Sequence, residues 1–359
     1  MSPIVLATES LEAGDGGIAR VARLMRRTIH DVGYPGADIV LRGQPLDDPP
    51  ALSRPLIELN RSRARYFASL LRRGPGRHVV YDFAGLARVH RVLRFLGSRS
   101  LVFLHGLEIW KEAVRPQYLA ATQACDLLVF NSAHSRARGG ELDPRIGRAR
   151  VCWLATEQDD VTEPIHPPHD VPRVTMIGRL VGSERYKGFD ELIACWPAVV
   201  AAVPKAQLRI VGKGTDFDRL KALANASAVS AHIELTGFVP EEAMPRIWSE
   251  TTVFAMPSRG EGFGLVYIEA MRRGVPVLAS VHDAGQEVNV DGQTGYNLNL
   301  DNGLEAIADR IVTLLSSPGL VREMGEAGRQ RWFEHFRYSC FRTRFSEILE
   351  GFLAGERTP

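Results

Sequence analysis

The feature that most restricts what this chain can become is a rhythm. Short, almost unbroken apolar runs alternate with longer stretches of helical periodicity along all 359 residues. In the first half the runs are Ile4–Thr8, Asp38–Leu41, His78–Asp82, Leu101–His105, Leu127–Asn131 and Val151–Leu154. In the second half they are Val174–Gly178, Leu208–Gly212, Ile233–Gly237, Val253–Pro257, Val275–Ser280 and Gly295–Leu298. A strand with one wet face alternates apolar and polar residues. A run that is apolar throughout needs cover on both faces, as in a parallel sheet held between two layers of helices. The rhythm predicts an α/β chain, and the length predicts two doubly wound, Rossmann-like parallel-sheet domains with a cleft between them.

The segment Glu163-Pro-Ile-His-Pro-Pro-His-Asp-Val-Pro172 sets the expected boundary. Its four prolines suit neither a helix nor a central strand. The expected organisation is an N-terminal domain over 1–162, a linker over 163–172, a second domain over 173–334 and a helical end over 335–359. Arg331–Phe352 reads as one long amphipathic helix.

Composition excludes several classes. No run approaches the roughly 18 apolar residues of a membrane span. The start, MSPIVLATES, lacks the basic and apolar regions of a secretory signal. Cys125, Cys152, Cys195 and Cys340 are scattered without metal spacing, so reduced thiols and a cytoplasmic setting are expected. The net charge of +2 hides an asymmetry. Residues 51–100 hold eleven arginines against only Glu58 and Asp82, a formal +9. The helical patterns Arg61–Arg73 and Leu86–Leu96 carry much of it, with Arg88, Arg91 and Arg94 opposite Val89, Leu93 and Leu96. An anionic membrane surface or anionic acceptor is the expected partner. Nucleic acid is not expected, because aromatic interleaving and the known fold signatures are missing.

In doubly wound sheets ligands bind beyond the carboxyl ends of the strands. The second half places Met256-Pro-Ser-Arg-Gly-Glu-Gly-Phe-Gly-Leu-Val-Tyr-Ile-Glu-Ala-Met271 at such an end. A strand closes at Pro257, a turn with Gly260, Gly262 and Gly264 follows, and a helix begins. Glycines admit a ligand close to the backbone, and a helix start offers unpaired N–H groups to a diphosphate. Glu261 stands in the turn, where it can face a sugar. Glu269 lies about one and a half turns into the helix and suits a pair of ribose hydroxyls.

This run resembles the E-x7-E motif of glycosyltransferase family 4, a retaining family with the GT-B fold. The resemblance continues in order over residues 173–335. It takes in Ile177-Gly-Arg-Leu180 with Tyr186-Lys-Gly188, Leu208-Arg-Ile-Val-Gly-Lys-Gly214 and Thr236-Gly-Phe-Val239. It ends with Asp283-Ala-Gly-Gln-Glu287 and Asp291-Gly-Gln-Thr-Gly295.

The resemblance implies a role for each matching residue. Arg179 and Lys187 hold the donor diphosphate and stabilise the leaving group, with backbone N–H groups of Leu265 and Val266. Gly262, Phe263 and Gly264 form the turn against the donor, Glu269 binds ribose, and Phe238 and Val239 lie against the base. Glu261 binds the transferred sugar. Arg185, in the long spacer between Arg179 and Lys187, is a further phosphate candidate. The resemblance also implies that the C-terminal helix returns to the first domain.

In the first half, Gly14-Asp-Gly-Gly17 feeds a helix. The pattern is G-x-G-G rather than G-x-G-x-x-G, and Arg42 follows the second strand, which excludes a nicotinamide reading. By resemblance Gly16 and Gly17 cap the donor, and His105 faces the transferred sugar. Glu108 is a weaker candidate, and Ser132 reads as a helix cap. No Asp-x-Asp adjoins an apolar run, and Asp159-Asp160 reads as solvated, so neither metal nor cofactor is expected.

The expected function is retaining, metal-independent hexosyl transfer from a UDP- or GDP-sugar to a glycan, lipid-linked or small-molecule acceptor. Cell-envelope or exopolysaccharide synthesis fits it. Two rivals stay open: a catalytically silent partner in a glycan-assembly complex, and an epimerase or inverting transferase on the same fold.

Overall fold

The computed structural model describes residues 2–42, 54–110, 114–161, 164–165 and 170–359. Residues 51–53 of the arginine-rich segment, and 163 and 166–169 of the expected linker, lie outside them. The chain forms two compact units. One is Met1–Glu157 with Tyr338–Pro359, and the other is Gln158–Arg337.

The first unit is built on seven strands: β1 (Ile4–Thr8), β2 (Gly36–Val40), β3 (Leu56–Glu58), β4 (His78–Tyr81), β5 (Arg99–Leu104), β6 (Leu127–Phe130) and β7 (Arg150–Val151). They lie in the order β3-β2-β1-β4-β5-β6-β7, with parallel pairing throughout. Leu101, Val102, Phe103 and Leu104 are all fully buried. Successive side chains of a strand point to opposite faces, so both faces of β5 are covered, as its unbroken apolar run requires.

The second unit repeats the plan with β8 (Arg173–Ile177), β9 (Gln207–Val211), β10 (Ile233–Gly237), β11 (Val253–Ala255), β12 (Val277–Ser280) and β13 (Gly295–Leu298). Their order is β10-β9-β8-β11-β12-β13, again parallel. In each unit the chain order reverses direction across the sheet beside the first strand: between β1 and β4, and between β8 and β11. Connections leave for opposite faces there and open a crevice at the carboxyl ends.

The last strand expected in the first half, Val151–Leu154, is only Arg150–Val151, and three further details depart from the sequence reading. Strand β3, Leu56–Glu58, is an additional edge strand. Its three half-buried residues are too few to show a period. Leu86–Leu96 is a short α-helical turn, His90–Leu93, flanked by two 3₁₀ turns. The end segment is two helices, Pro318–His335 and Tyr338–Leu353. The break falls at Phe336, whose φ of −122° is not helical and whose buried ring packs edge-on against Phe263.

Tyr338–Leu353 packs on the helix Gly17–Val32 of the first unit: the Tyr338 hydroxyl donates to Asp31 at 2.6 Å, and the Arg27 guanidinium lies over its ring. Cys125, Cys152 and Cys195 are buried free thiols, and burial pushes each up to about 12. Among the described residues no helix is long and apolar enough to cross a membrane.

Candidate active site

The reversal between β8 and β11 gathers most of the charged candidates. β8 ends at Ile177, and Arg179 follows two residues later. The chain then makes a 3₁₀ segment, Gly182–Lys187, and turns at Gly188 with φ +93°. A Cβ there would stand 2.5 Å from the Pro257 carbonyl oxygen, so only glycine lets this turn lie against the end of β11. The turn fixes Lys187, which is 9% exposed, beside the glycine-rich loop. Its Nζ lies 2.8 Å from Glu184 and 3.8 Å from Glu261.

Glu184 was not singled out in the sequence, yet it bonds both cations: Lys187 and the largely exposed Arg179. Its three-residue spacing from Lys187 was the available signal. Arg185 turns away from these groups to Asp216, 3.6 Å distant, and Asp216 is held more closely by Arg219.

Glu261 is fixed through its backbone. Its N–H donates to Asp283 at 2.9 Å, and its carbonyl accepts from Ala284 at 3.1 Å. Asp283 is fully buried and also accepts from the Gly285 N–H at 2.8 Å. Burial pushes Asp283 up to about 7 despite these donors, and the Glu261 charge adds to the rise. Burial also raises Glu261, with Lys187 pulling the other way. Asp283 thus clamps the loop that presents Glu261. The sequence placed it within a motif without showing that role, because the clamp joins residues 22 apart.

The helix Leu265–Arg272 begins at Gly264, which has φ +87°, and no side chain caps it. Its first N–H groups, including those of Leu265 and Val266, therefore lack intrahelical partners and side-chain caps. Helical side chains lean toward the N-terminus, so Glu269, one turn beyond Leu265, leans back toward this start. The Phe263 ring is buried against Phe336, so the side chain is not offered to a ligand. Phe238 follows β10 and is 57% exposed, with the Lys213 ammonium 4.0 Å over its ring. β10 stands two strands from β8, about 10 Å, a span that suits a nucleoside. Val239 beside it is half-buried.

In the first unit the polar residues sit at the ends of neighbouring strands. His105 follows β5, and its Nε2 bonds the Asp82 carbonyl at 2.7 Å. A carbonyl only accepts, so Nε2 carries a proton in this bond. The His105 N–H donates to Glu108, which therefore holds the turn, and its carbonyl accepts from Asn131. Ser132 caps the helix Ala133–Gly140. Gly16, with φ +88°, opens the helix Gly17–Val32 without a side-chain cap. Asp82, missed in the sequence because it ends an apolar run, is fully buried. It accepts from the Thr8 hydroxyl and the Glu9 N–H, and burial pushes it up to about 7.

Among the described residues no group of three or more His, Cys, Asp or Glu is placed to hold a metal ion.

The geometry agrees with the comparisons. Residues 158–331 match the model of the family described as glycosyl transferases group 1. A GDP-mannose-dependent alpha-(1-6)-phosphatidylinositol monomannoside mannosyltransferase of Mycolicibacterium smegmatis is 34% identical over 189 residues, 51% of this chain and 48% of that protein. A phosphatidyl-myo-inositol mannosyltransferase of Mycobacterium tuberculosis is 33% identical over 187 residues, again 51% and 48%. The matched stretch thus spans about half the length of these relatives.

Solved structures agree over nearly the whole chain. Sucrose-phosphate synthase from Thermosynechococcus elongatus superposes with a TM-score of 0.77 at 21% identity, covering 99% of this chain and 100% of that one. HepE from Anabaena, in complex with UDP and glucose, gives 0.78 at 15% identity, covering 98% and 100%. At these identities the likeness speaks for the GT-B fold. Residues 158–331 thus carry the likeness to the glycosyl transferases of group 1, within a chain that has the GT-B fold.

Proposed function

We propose that the chain is a retaining, metal-independent glycosyltransferase that moves a hexosyl unit from a nucleotide-diphosphate sugar to an acceptor hydroxyl. One observation carries the reading: two cations, Arg179 and Lys187, share a strand-end crevice with an uncapped helix start and the loop carboxylate of Glu261. Cleaving the donor leaves negative charge on the diphosphate. Fixed cations and oriented N–H groups offset that charge where it develops. The acceptor oxygen forms its bond to the anomeric carbon on the face that the phosphate leaves. The carbon–phosphate-oxygen bond breaks, and the acceptor proton passes to the departing oxygen. Glu261 holds sugar hydroxyls, Glu269 the ribose, and Phe238 with Val239 the base. Gly16, Gly17 and His105 are the first unit's own candidates for binding a donor.

The relatives named as GDP-mannose-dependent make GDP-mannose the first donor to assay, and the HepE complex makes UDP-glucose the second. The phosphatidylinositol mannosyltransferases support a lipid-linked acceptor in envelope synthesis, with the chain cytoplasmic or peripheral on the inner membrane face. Product analysis by NMR tests the reading: an α-linked product from an α-donor supports retention, and a β-linked product overturns it. Turnover is expected to be unchanged in excess EDTA, and its collapse would end the metal-independent claim.

Glu269→Ala is expected to raise the donor KM by about 10- to 100-fold with little change in kcat, the scale of losing charge-assisted hydrogen bonds made equally in ground and transition states. Steady-state kinetics check this, and an unchanged KM removes the ribose role.

A further inference from the structure

The arginine-rich part of the first unit presents a surface that the donor site does not use. Among described residues 54–100, Arg54 is buried on Asp38 and Arg99 is half-buried, while the other nine arginines are exposed. Among the described residues of that stretch the acids are Glu58, half-buried, and Asp82, buried.

Charge alone would describe an ordinary solvated face. The same stretch, however, holds five of the twelve exposed large hydrophobic side chains among the described residues: Phe67, Leu71, Val92, Phe95 and Leu96. Phe95 is 78% exposed, the most of the twelve. On the run Ala87–Leu96 the buried residues Val89, His90 and Leu93 anchor one side. Arg88, Arg91, Val92 and Phe95, spaced three, four and seven residues from the first, share the opposite side.

The Arg94 guanidinium lies 5.0 Å over the Phe95 ring. The end of the helix Arg63–Arg73 is tied to this run, since the Gly76 N–H donates to the Leu96 carbonyl at 3.0 Å and the Ser98 hydroxyl to the Gly74 carbonyl at 2.7 Å. Leu71 and its neighbouring arginines therefore belong to the same end of the surface.

We propose that this surface docks on an anionic lipid bilayer, with Val92, Phe95 and Leu96 entering the headgroup region and Arg88, Arg91 and Arg94 pairing with lipid phosphates. A bilayer interface takes both kinds of side chain at once: apolar groups leave water, and flanking cations meet anionic headgroups. A soluble polyanion uses the arginines and leaves the protruding Phe95 without a role. The scarcity of acids along the stretch matches a uniformly negative partner. The inference deepens the lipid-acceptor reading, because docking brings the enzyme to an acceptor anchored in the same bilayer.

Vesicle co-sedimentation of the full chain tests it, with donor hydrolysis measured in parallel so that failure of docking and failure of the glycosyltransferase reading are told apart. The chain is expected to pellet with phosphatidylcholine vesicles containing about one quarter phosphatidylglycerol, and not with pure phosphatidylcholine. Raising NaCl to about 0.5 M is expected to weaken binding roughly tenfold. Val92→Ser with Phe95→Ser, and separately Arg91→Gln with Arg94→Gln, are each expected to weaken it at least about tenfold, with melting temperature and donor hydrolysis unchanged. Equal binding to both vesicle types overturns the proposal. So does a Val92→Ser/Phe95→Ser variant that binds like the wild type.

Discussion

Lys187→Met is expected to lower kcat for sugar transfer by about two to three orders of magnitude, or about 3–4 kcal/mol of transition-state stabilisation. The methionine keeps most of the apolar stem and removes the charge. What is lost acts on the leaving diphosphate, which gains charge only as the glycosidic bond breaks, so the effect falls on kcat more than on KM. The structure adds a complication that the test has to separate. Lys187 is almost buried and neutralises Glu184 at 2.8 Å, with Glu261 at 3.8 Å. Removing one partner of a buried ion pair costs about 3–5 kcal/mol of folding stability, because the other charge is stranded.

A Lys187→Met/Glu184→Gln variant removes that stranded charge. It is expected to recover most of the lost melting temperature and none of the lost turnover. Recovery of turnover in the double variant would mean that Lys187 serves only to neutralise Glu184. Glu184→Gln alone frees Arg179 and Lys187 from their internal carboxylate and is expected to tighten binding of the free nucleoside diphosphate, measured by calorimetry.

The legibility of this molecule divides along a physical line. Strand β1 was readable to the residue because a strand buried on both faces writes itself as an apolar run, and the partly exposed edge strands β10 and β13 were readable because Gly237 and Gly295 mark one end of each. The donor-side candidates were readable for a related reason. Arg179, Lys187, Glu261 and Glu269 all follow shortly after a strand, where a parallel sheet must deliver its ligand groups. The sequence hid whatever depends on approach between distant segments. The Asp283 clamp on the Glu261 N–H joins two loops, and the Glu184 bridge to Arg179 depends on the fold of a 3₁₀ turn. The break at Phe336 was hidden as well, since helical periodicity continues on both sides of it while a buried ring diverts the chain.

Asp82→Asn is expected to remove the pH dependence that Asp82 gives to the first unit's stability. The wild-type carboxyl is fully buried at the end of β4 and is raised to about 7 in the fold. Between its unfolded value near 4 and about 7 the native state holds a proton that the unfolded chain has released. Stability is therefore fully present below about pH 4 and falls as pH rises through 7, by about 4 kcal/mol in all.

Asparagine cannot ionise, so the variant loses this slope. Its carbonyl oxygen can take the place of Oδ2, which accepts from the Thr8 hydroxyl at 2.5 Å and the Glu9 N–H at 3.1 Å. Its amide nitrogen then falls where Oδ1 finds no hydrogen-bond partner, a penalty of about 1–3 kcal/mol. The two melting curves should cross: the variant is less stable at pH 4 and more stable at pH 8, by a few degrees in each direction. Donor turnover should survive, because His105 bonds the Asp82 backbone carbonyl, which the substitution leaves in place. Calorimetry across this pH range decides the matter. A variant that melts below the wild type at pH 8 would mean that Asp82 is charged in the fold and held by its two donors, and the buried acid at the foot of His105 would have to be reassigned as an anion.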